Sequence, residues 1–238
     1  MKMALGTVQF GMPYGISNVK GQNTERQVQD ILEYAHNVGI TVIDTAASYG
    51  NSEEVLGKIL GEREWDVITK APSFEEDSIG IKQLNCLNQV FRNSLSALGR
   101  QSIYGLLVHS CDDLFKPGGA RLFQEMDHLK SSGLVNKIGV SVYSGEQIQR
   151  VLSEYDVDLV QLPISIIDQR LLAGGHLQQL KNYGVEIQAR SVFLQGLILM
   201  HTNSIPRYFS PIKSRLEQFG KRAKELSMNR LELALGFV

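Results

Sequence analysis

The chain has 238 residues, 43% hydrophobic and 21% charged, enough apolar material for one large core or two small ones. Lys and Arg number 24 against 25 Asp and Glu, so the formal net charge of −1 lacks the basic excess that meets nucleic-acid phosphates. No stretch reaches the roughly 20 apolar residues of a membrane helix, residues 1–6 hold no secretory signal, and two cysteines without C-x-x-C spacing exclude a disulfide framework and a cysteine-rich zinc module. The expectation is a cytoplasmic globular enzyme acting on a small molecule, with no metal, no membrane and no nucleic acid.

In chain order, the first apolar run of strand type covers residues 3–8. Thr24-Glu25-Arg26-Gln27 then fits a capping box, and Val28, Ile31, Leu32, Ala35 and Val38 share one helical face up to Gly39. A strand over 41–44 precedes a helical stripe of Val55, Leu56, Ile59 and Leu60. A strand over 67–70 precedes Leu84, Leu87, Phe91, Leu95 and Leu98, a stripe ended by Gly99. A fourth strand over 103–109 is followed by Leu122, Phe123, Met126 and Leu129 before Gly133. The fifth, over 137–142, is followed by Ile148, Val151 and Leu152; the sixth, over 159–162, by Leu177, Leu180 and Tyr183. The seventh covers 185–189. Beyond it, Leu216, Phe219, Ala223 and Leu226 line a helix whose charged residues over 213–224 form a solvated face. Ser227 is expected to cap a last helical run. Gly118-Gly119 and Gly174-Gly175 read as flexible loops.

The strand runs are near-continuously apolar, the pattern of strands buried on both faces in a parallel sheet. Strand and helix alternate with no linker between them. The repeat, with no G-x-G-x-x-G after the first strand, favours a (β/α)8 TIM barrel over an open doubly wound sheet. Strand centres step by about 30 residues, the usual size of a βα unit. On that step an eighth strand falls past residue 215, where the pattern is helical. Residues 1–238 are therefore expected to form a single barrel domain lacking its eighth βα unit, incomplete at the C-terminal end and with the first and seventh strands left as edges.

In parallel α/β folds the working groups lie at the carboxyl ends of strands. Strand two ends in Asp44, with Tyr49 shortly after; strand three ends in Lys70 and strand four in His109. Taken singly, Asp44 reads as a loop cap, Lys70 as a surface lysine, His109 as a half-buried histidine and Tyr49 as packing. Their joint placement favours chemistry. A phenol of ordinary pKa near 10 is lowered by an adjacent ammonium, a carboxylate holds that ammonium, and an imidazole orients a carbonyl. That set is a tunable acid at a carbonyl oxygen, as a carbonyl reductase needs while a cofactor supplies hydride. The sequence has no H-E-x-x-H, P-loop or G-x-S-x-G.

The segments Leu5-Gly6-Thr7-Val8-Gln9-Phe10-Gly11, Ile43-Asp44-Thr45-Ala46-Ala47-Ser48-Tyr49-Gly50, Thr69-Lys70, Leu107-Val108-His109-Ser110, Gly139-Val140-Ser141 and Val160-Gln161-Leu162-Pro163 resemble those of the aldo-keto reductase family. So does Ala189-Arg190-Ser191-Val192-Phe193-Leu194-Gln195-Gly196-Leu197. The resemblance implies a barrel that binds NADPH (NADH is the other possibility) without a Rossmann motif and reduces an aldehyde or ketone. It implies a catalytic set of Asp44, Tyr49, Lys70 and His109, with Tyr49 as general acid. For the cofactor it implies Thr7 and Asp44 near the nicotinamide, Ser141 and Gln161 on its amide, Arg190 stacked on its ring, and Ser191, Phe193 and Gln195 along the pyrophosphate. Val142 stands where many members carry Asn, and the usual contacts to the adenosine 2′-phosphate fall past Val238. The alternatives are a cofactor-binding regulatory or scaffold protein on the same fold and, in third place, a barrel isomerase or lyase using Lys70. The oligomeric state is not legible; short loops after the strands suggest an open site for a polar substrate.

Overall fold

The computed structural model describes residues 3–238. Seven parallel strands pair in sequence order, β1 (Ala4–Gly6), β2 (Val42–Asp44), β3 (Asp66–Ala71), β4 (Ile103–Val108), β5 (Val135–Ser141), β6 (Leu159–Pro163) and β7 (Glu186–Arg190). Among the described residues β1 and β7 are the two edges, so the sheet is a curled (β/α)8 barrel lacking one unit. The register runs Leu5 to Ile43, Ile43 to Val67, Thr69 to Leu106, Leu106 to Ile138, Ser141 to Gln161 and Gln161 to Gln188.

The helices are α1 (Val8–Gly11), α2 (Glu25–Asn37), α3 (Ser52–Ile59), α4 (Ile81–Leu98), α5 (Ala120–Ser131), α6 (Gly145–Glu154), α7 (Arg170–Ala173), α8 (His176–Asn182), α9 (Lys213–Glu225) and α10 (Arg230–Phe237). The capping box before α2 forms: Gln27 N donates to Thr24 Oγ1 at 3.3 Å and Thr24 N to Gln27 Oε1 at 3.0 Å. Ser144 and Gln147 repeat the device at α6.

Side chains alternate across each strand. Ile43, Val67, Leu106, Val108, Ile138, Val140, Val160 and Leu162 face outward. With Val28, Leu56, Leu98, Leu122, Met126 and Ile148 of the helices they form one continuous core. Ile68, Leu107 and Leu159 face inward and fill the barrel with Val42 and Tyr104. A smaller cluster of Leu197, Ile198, Leu216, Phe219 and Ala234 covers the segment after β7.

Three local expectations are corrected. The first apolar run stays a strand only to Gly6; Thr7, at ψ 10°, turns the chain and Val8 enters α1. Ser227 does not cap the last helix. It adopts φ 54° and closes α9, while Asn229 caps α10 through reciprocal bonds with Glu232. Gly118 and Gly119 are packed rather than flexible: a Cβ at Gly118 would lie 2.2 Å from the Ile79 carbonyl oxygen, and one at Gly119 2.3 Å from that of Leu114.

The contact between α3 and α4 also depends on a missing side chain, since a Cβ on Gly57 would lie 1.9 Å from the Ala97 carbonyl oxygen. Gly57→Ala should separate the two helices and lower stability by about 1–3 kcal/mol, read as a lower urea midpoint at unchanged slope. Gly236→Ala meets nothing within 4 Å in α10 and should be neutral or slightly stabilising.

Candidate active site

The inward-facing residues above the Ile68, Leu107 and Leu159 layer are polar. Lys70, on β3, is 2% exposed, and its Nζ donates to Asp44 Oδ1 at 2.7 Å and to the Thr45 carbonyl at 2.9 Å. The register sets Asp44 opposite Ile68, two residues before Lys70 on the same face of the adjacent strand, and the lysine side chain spans that step to the carboxylate. Asp44 Oδ1 also accepts from Gln161 Nε2 at 2.8 Å, and the same nitrogen donates to Gln188 Oε1 at 2.7 Å. One hydrogen-bonded row thus crosses the mouth of the barrel from β3 to β7.

Tyr49 is carried by the turn after β2, which closes with Tyr49 N donating to the Ala46 carbonyl at 3.0 Å and Ser52 N to the Tyr49 carbonyl at 3.1 Å. Lys70 Nζ lies 5.0 Å from the centre of the Tyr49 ring. His109, one residue past β4, stands edge-on to that ring with centres 6.4 Å apart. The structure therefore brings Asp44, Tyr49, Lys70 and His109 together.

The electrostatics of this group differ from the sequence expectation in one respect. The Tyr49 phenol is pushed up from its ordinary value, first by burial and then by the Asp44 carboxylate, with only Arg190 among the cations pulling it down. Lys70 was expected to lower it, but burial, which penalises the phenolate, and the Asp44 carboxylate outweigh that pull. His109 is held below its ordinary value, first by burial and then by Lys70 and Arg190, against the pull of Asp44. Both the phenol and the imidazole are thereby kept neutral.

The residues expected at a cofactor divide into two groups. Ser141 and Gln161 are register partners on the inner face of β5 and β6, 3% and 1% exposed. The Gln161 amide nitrogen is engaged, which leaves its oxygen; among the described residues the Ser141 hydroxyl has no hydrogen-bond partner in the protein. A free hydroxyl beside a free amide oxygen is the donor–acceptor pair that a primary carboxamide requires. Arg190 ends β7, with Nη1 donating to Ser191 Oγ and Nη2 to the Val142 carbonyl, both at 3.2 Å. Ser191 and Gln195 have exposed side chains on the loop after β7.

Two residues are placed differently. Thr7 is fully buried, its hydroxyl donating to the Asp44 carbonyl at 3.0 Å and accepting from Ser52 Oγ at 3.0 Å, so its side chain belongs to the wall. Phe193 packs into the small cluster with Leu197 and Phe219. The loop itself is held in a defined shape. Ser191, Leu194 and Gln195 have φ of 60°, 47° and 57°, and the Gln195 carbonyl accepts from Ile16 N at 2.9 Å.

Sequence reasoning missed Glu53 and Tyr143. Glu53, 7% exposed in the first turn of α3, accepts from Thr69 Oγ1 at 2.5 Å on the outer side of β3, and burial pushes its carboxyl up. Tyr143 places its ring 4.0 Å from the Arg190 guanidinium. The one available signal was that Glu53 falls between Ser52 and Val55 on the buried side of its helix.

The model of the aldo/keto reductase family matches residues 2–237. An NADH-specific methylglyoxal reductase of Escherichia coli is 29% identical over 229 residues, covering 88% of this chain and 68% of that protein. Among solved structures, a glycerol dehydrogenase of Gluconobacter oxydans superposes with a TM-score of 0.72 over 97% of this chain and 76% of its own, at 20% identity. An aldo-keto reductase of Bombyx mori in complex with NADP gives 0.65 over 98% and 74%, at 21% identity. These last two likenesses concern the fold. With a family match spanning nearly every residue and a barrel that gathers the motif side chains at one mouth, this chain belongs to the aldo/keto reductase family.

Proposed function

We propose that this protein reduces an aldehyde or ketone to the alcohol, with Tyr49 as the proton donor and a nicotinamide dinucleotide as the source of hydride. The observation that carries this proposal is the buried Lys70–Asp44 pair, 2.7 Å apart, lying 5.0 Å beneath a phenol that burial keeps protonated. A protonated phenol is the form a general acid must have at the start of a reduction.

Ser141 and Gln161 would hold the carboxamide of the nicotinamide, with Ser191 and Gln195 toward its phosphates. When bound, the reduced cofactor supplies the hydride that the carbonyl carbon takes up. The remaining work falls to this chain's own groups. Tyr49 hydrogen-bonds the carbonyl oxygen and gives up its proton as negative charge develops there. Lys70 stabilises the phenolate that is left, and Asp44 keeps Lys70 charged and aimed. Neutral His109 helps to fix the carbonyl between itself and Tyr49. NADPH is the proposed cofactor, with NADH the second candidate on the strength of the E. coli relative's specificity.

Tyr49→Phe should lower kcat for carbonyl reduction by about 10²–10⁴-fold, the usual contribution of a general acid, while the cofactor dissociation constant measured by fluorescence titration stays essentially unchanged. A variant with wild-type kcat would remove the phenol from the reaction.

The direction of the Tyr49 shift makes a second prediction. Reduction needs the protonated phenol, so its rate is lost only as pH rises through the folded-state pKa, which lies above the ordinary 10.0. A pH–kcat profile should therefore show no alkaline loss through the ordinary tyrosine range. His109 acts on stability with the opposite sense. Its folded pKa is depressed, so its contribution is complete above the ordinary 6.5 and is lost as pH falls below that value. His109→Gln should flatten the acid side of the stability curve measured by urea unfolding.

A further inference from the structure

Carboxylates are rarely buried without a cationic partner. Glu53 is such a case: it is 7% exposed in the first turn of α3 and forms no ion pair among the described residues. It accepts from Thr69 Oγ1 at 2.5 Å, and the Ser94 hydroxyl of α4 hydrogen-bonds it as well. Thr69 and Ser94 are 1% and 2% exposed, so water is kept from all three groups. A glutamine would accept the same two bonds at its amide oxygen with no charge to desolvate. Stability alone therefore does not account for an acid at this position.

The site lies directly behind it. Thr69 and Lys70 are consecutive on β3, so one side chain turns outward to Glu53 while the other turns inward to Asp44 at 2.7 Å. Burial pushes the Glu53 carboxyl up from its ordinary value, while the Thr69 and Ser94 hydroxyls and the charge of Lys70 favour the ionised form. The other titratable groups on the neighbouring elements are turned away: Glu54 of α3 and Arg92 of α4 are exposed, Glu25 of α2 pairs with Lys58 at 2.8 Å, and α1 carries none. A hydrogen bond to an ionised carboxylate is about twice as strong as one to a neutral acceptor. What the charge of Glu53 adds is therefore a tighter hold on the strand end that carries Lys70.

We propose that Glu53 is a positioning residue of the reductase site, whose ionised carboxylate clamps Thr69 and so fixes the strand end from which Lys70 reaches Asp44 and the Tyr49 phenol. This rests on the reductase function proposed above and adds a residue to it. Glu53 lies on the outer side of the sheet, out of reach of substrate and cofactor, and acts only through β3. Its effect falls on the step that needs Lys70 in place, the departure of the proton from Tyr49, and not on the binding of either reactant. The clamp is lost as pH falls through the folded-state value of Glu53, which lies above its ordinary 4.5.

The test compares Glu53→Gln and Glu53→Asp with the wild type in steady-state reduction of aldehydes, in urea unfolding and in NMR of proteins labelled at the lysine Nζ. Glu53→Gln should lower kcat by about 5–10-fold, the difference between a charge-assisted and a neutral hydrogen bond. KM and the cofactor dissociation constant should stay at their wild-type values, and the urea midpoint should be unchanged or higher, since a buried charge has been removed. The ratio of wild-type to Glu53→Gln kcat should fall toward one as pH falls through the folded-state value of Glu53; His109 titrates in both proteins and cancels from the ratio. Glu53→Asp, which keeps the charge on a side chain one methylene shorter, should recover part of the lost kcat. The Lys70 Nζ signal, assigned by its loss in Lys70→Arg, should differ between the wild type and Glu53→Gln at neutral pH and converge on acidification. A Glu53→Gln variant with wild-type kcat at every pH, or a loss of kcat matched by a lower urea midpoint and not relieved by Glu53→Asp, would overturn the proposal. If the wild type reduces no aldehyde, the reductase function fails, and the Lys70 signal decides alone: a difference that closes on acidification supports the clamp, and identical signals refute it.

Discussion

A buried ammonium is the constraint around which the mouth of this barrel is arranged. Moving a charge of that size out of water costs several kcal/mol, recovered only by close and well-aimed partners. Lys70 finds them in Asp44 and the Thr45 carbonyl, at 2.7 and 2.9 Å. Both come from β2 or the residue after it, so the pairing of β2 with β3 is also the pairing of the two charges. The same carboxylate oxygen takes the Gln161 amide, and Gln161 takes Gln188, so the orientation of the ion pair is tied to strands on the far side of the barrel. On the outer side of β3, Thr69 binds Glu53 of α3, anchoring the strand against its helix one residue before Lys70.

The loops above this layer are held by the same kind of contact. Buried Asp113 accepts from Lys116 Nζ and Phe74 N at 2.7 and 3.1 Å, and Lys116 also donates to the Phe74 carbonyl, which joins the loop after β3 to the loop after β4. The loop after β7 reaches the other end of the sheet: its Gln195 carbonyl accepts from Ile16 and Ser17. Among the described residues β1 and β7 form no ladder, yet the segments that follow them are hydrogen-bonded across the gap. The run of left-handed residues at 191 and 194–196 is the backbone shape that this closure requires.

Burial sorts the charges of the site. The phenol of Tyr49 and the imidazole of His109 are both kept neutral, one by an upward and the other by a downward shift. Among the described residues, the charged groups that act on them are the Lys70–Asp44 pair below and Arg190 at the rim. Two neutral hydrogen-bonding groups between a compensated pair and an uncompensated cation make an environment in which negative charge developing on an oxygen is favoured without prior ionisation of the groups that touch it.

The alternation of apolar strands with amphipathic helices, the parallel sense of the sheet and the positions of Asp44, Lys70 and His109 were legible in the sequence. Each depends on local periodicity and on the rule that strand ends of a parallel sheet share one side. Tyr49 was legible through the spacing of its motif. Thr7 turning into the wall, Phe193 joining the small core, Asn229 capping in place of Ser227, and Glu53 and Tyr143 entering the neighbourhood of the site were decided by the tertiary structure. So was the sign of the Tyr49 shift. A pKa depends on the water removed and on charges brought close from distant parts of the chain, and whether burial and Asp44 outweigh Lys70 at the phenol depends on distances of a few ångströms between residues on different strands. Sequence spacing specifies which groups reach the mouth of the barrel; only the packed structure specifies which of them touch, and hence which carry charge.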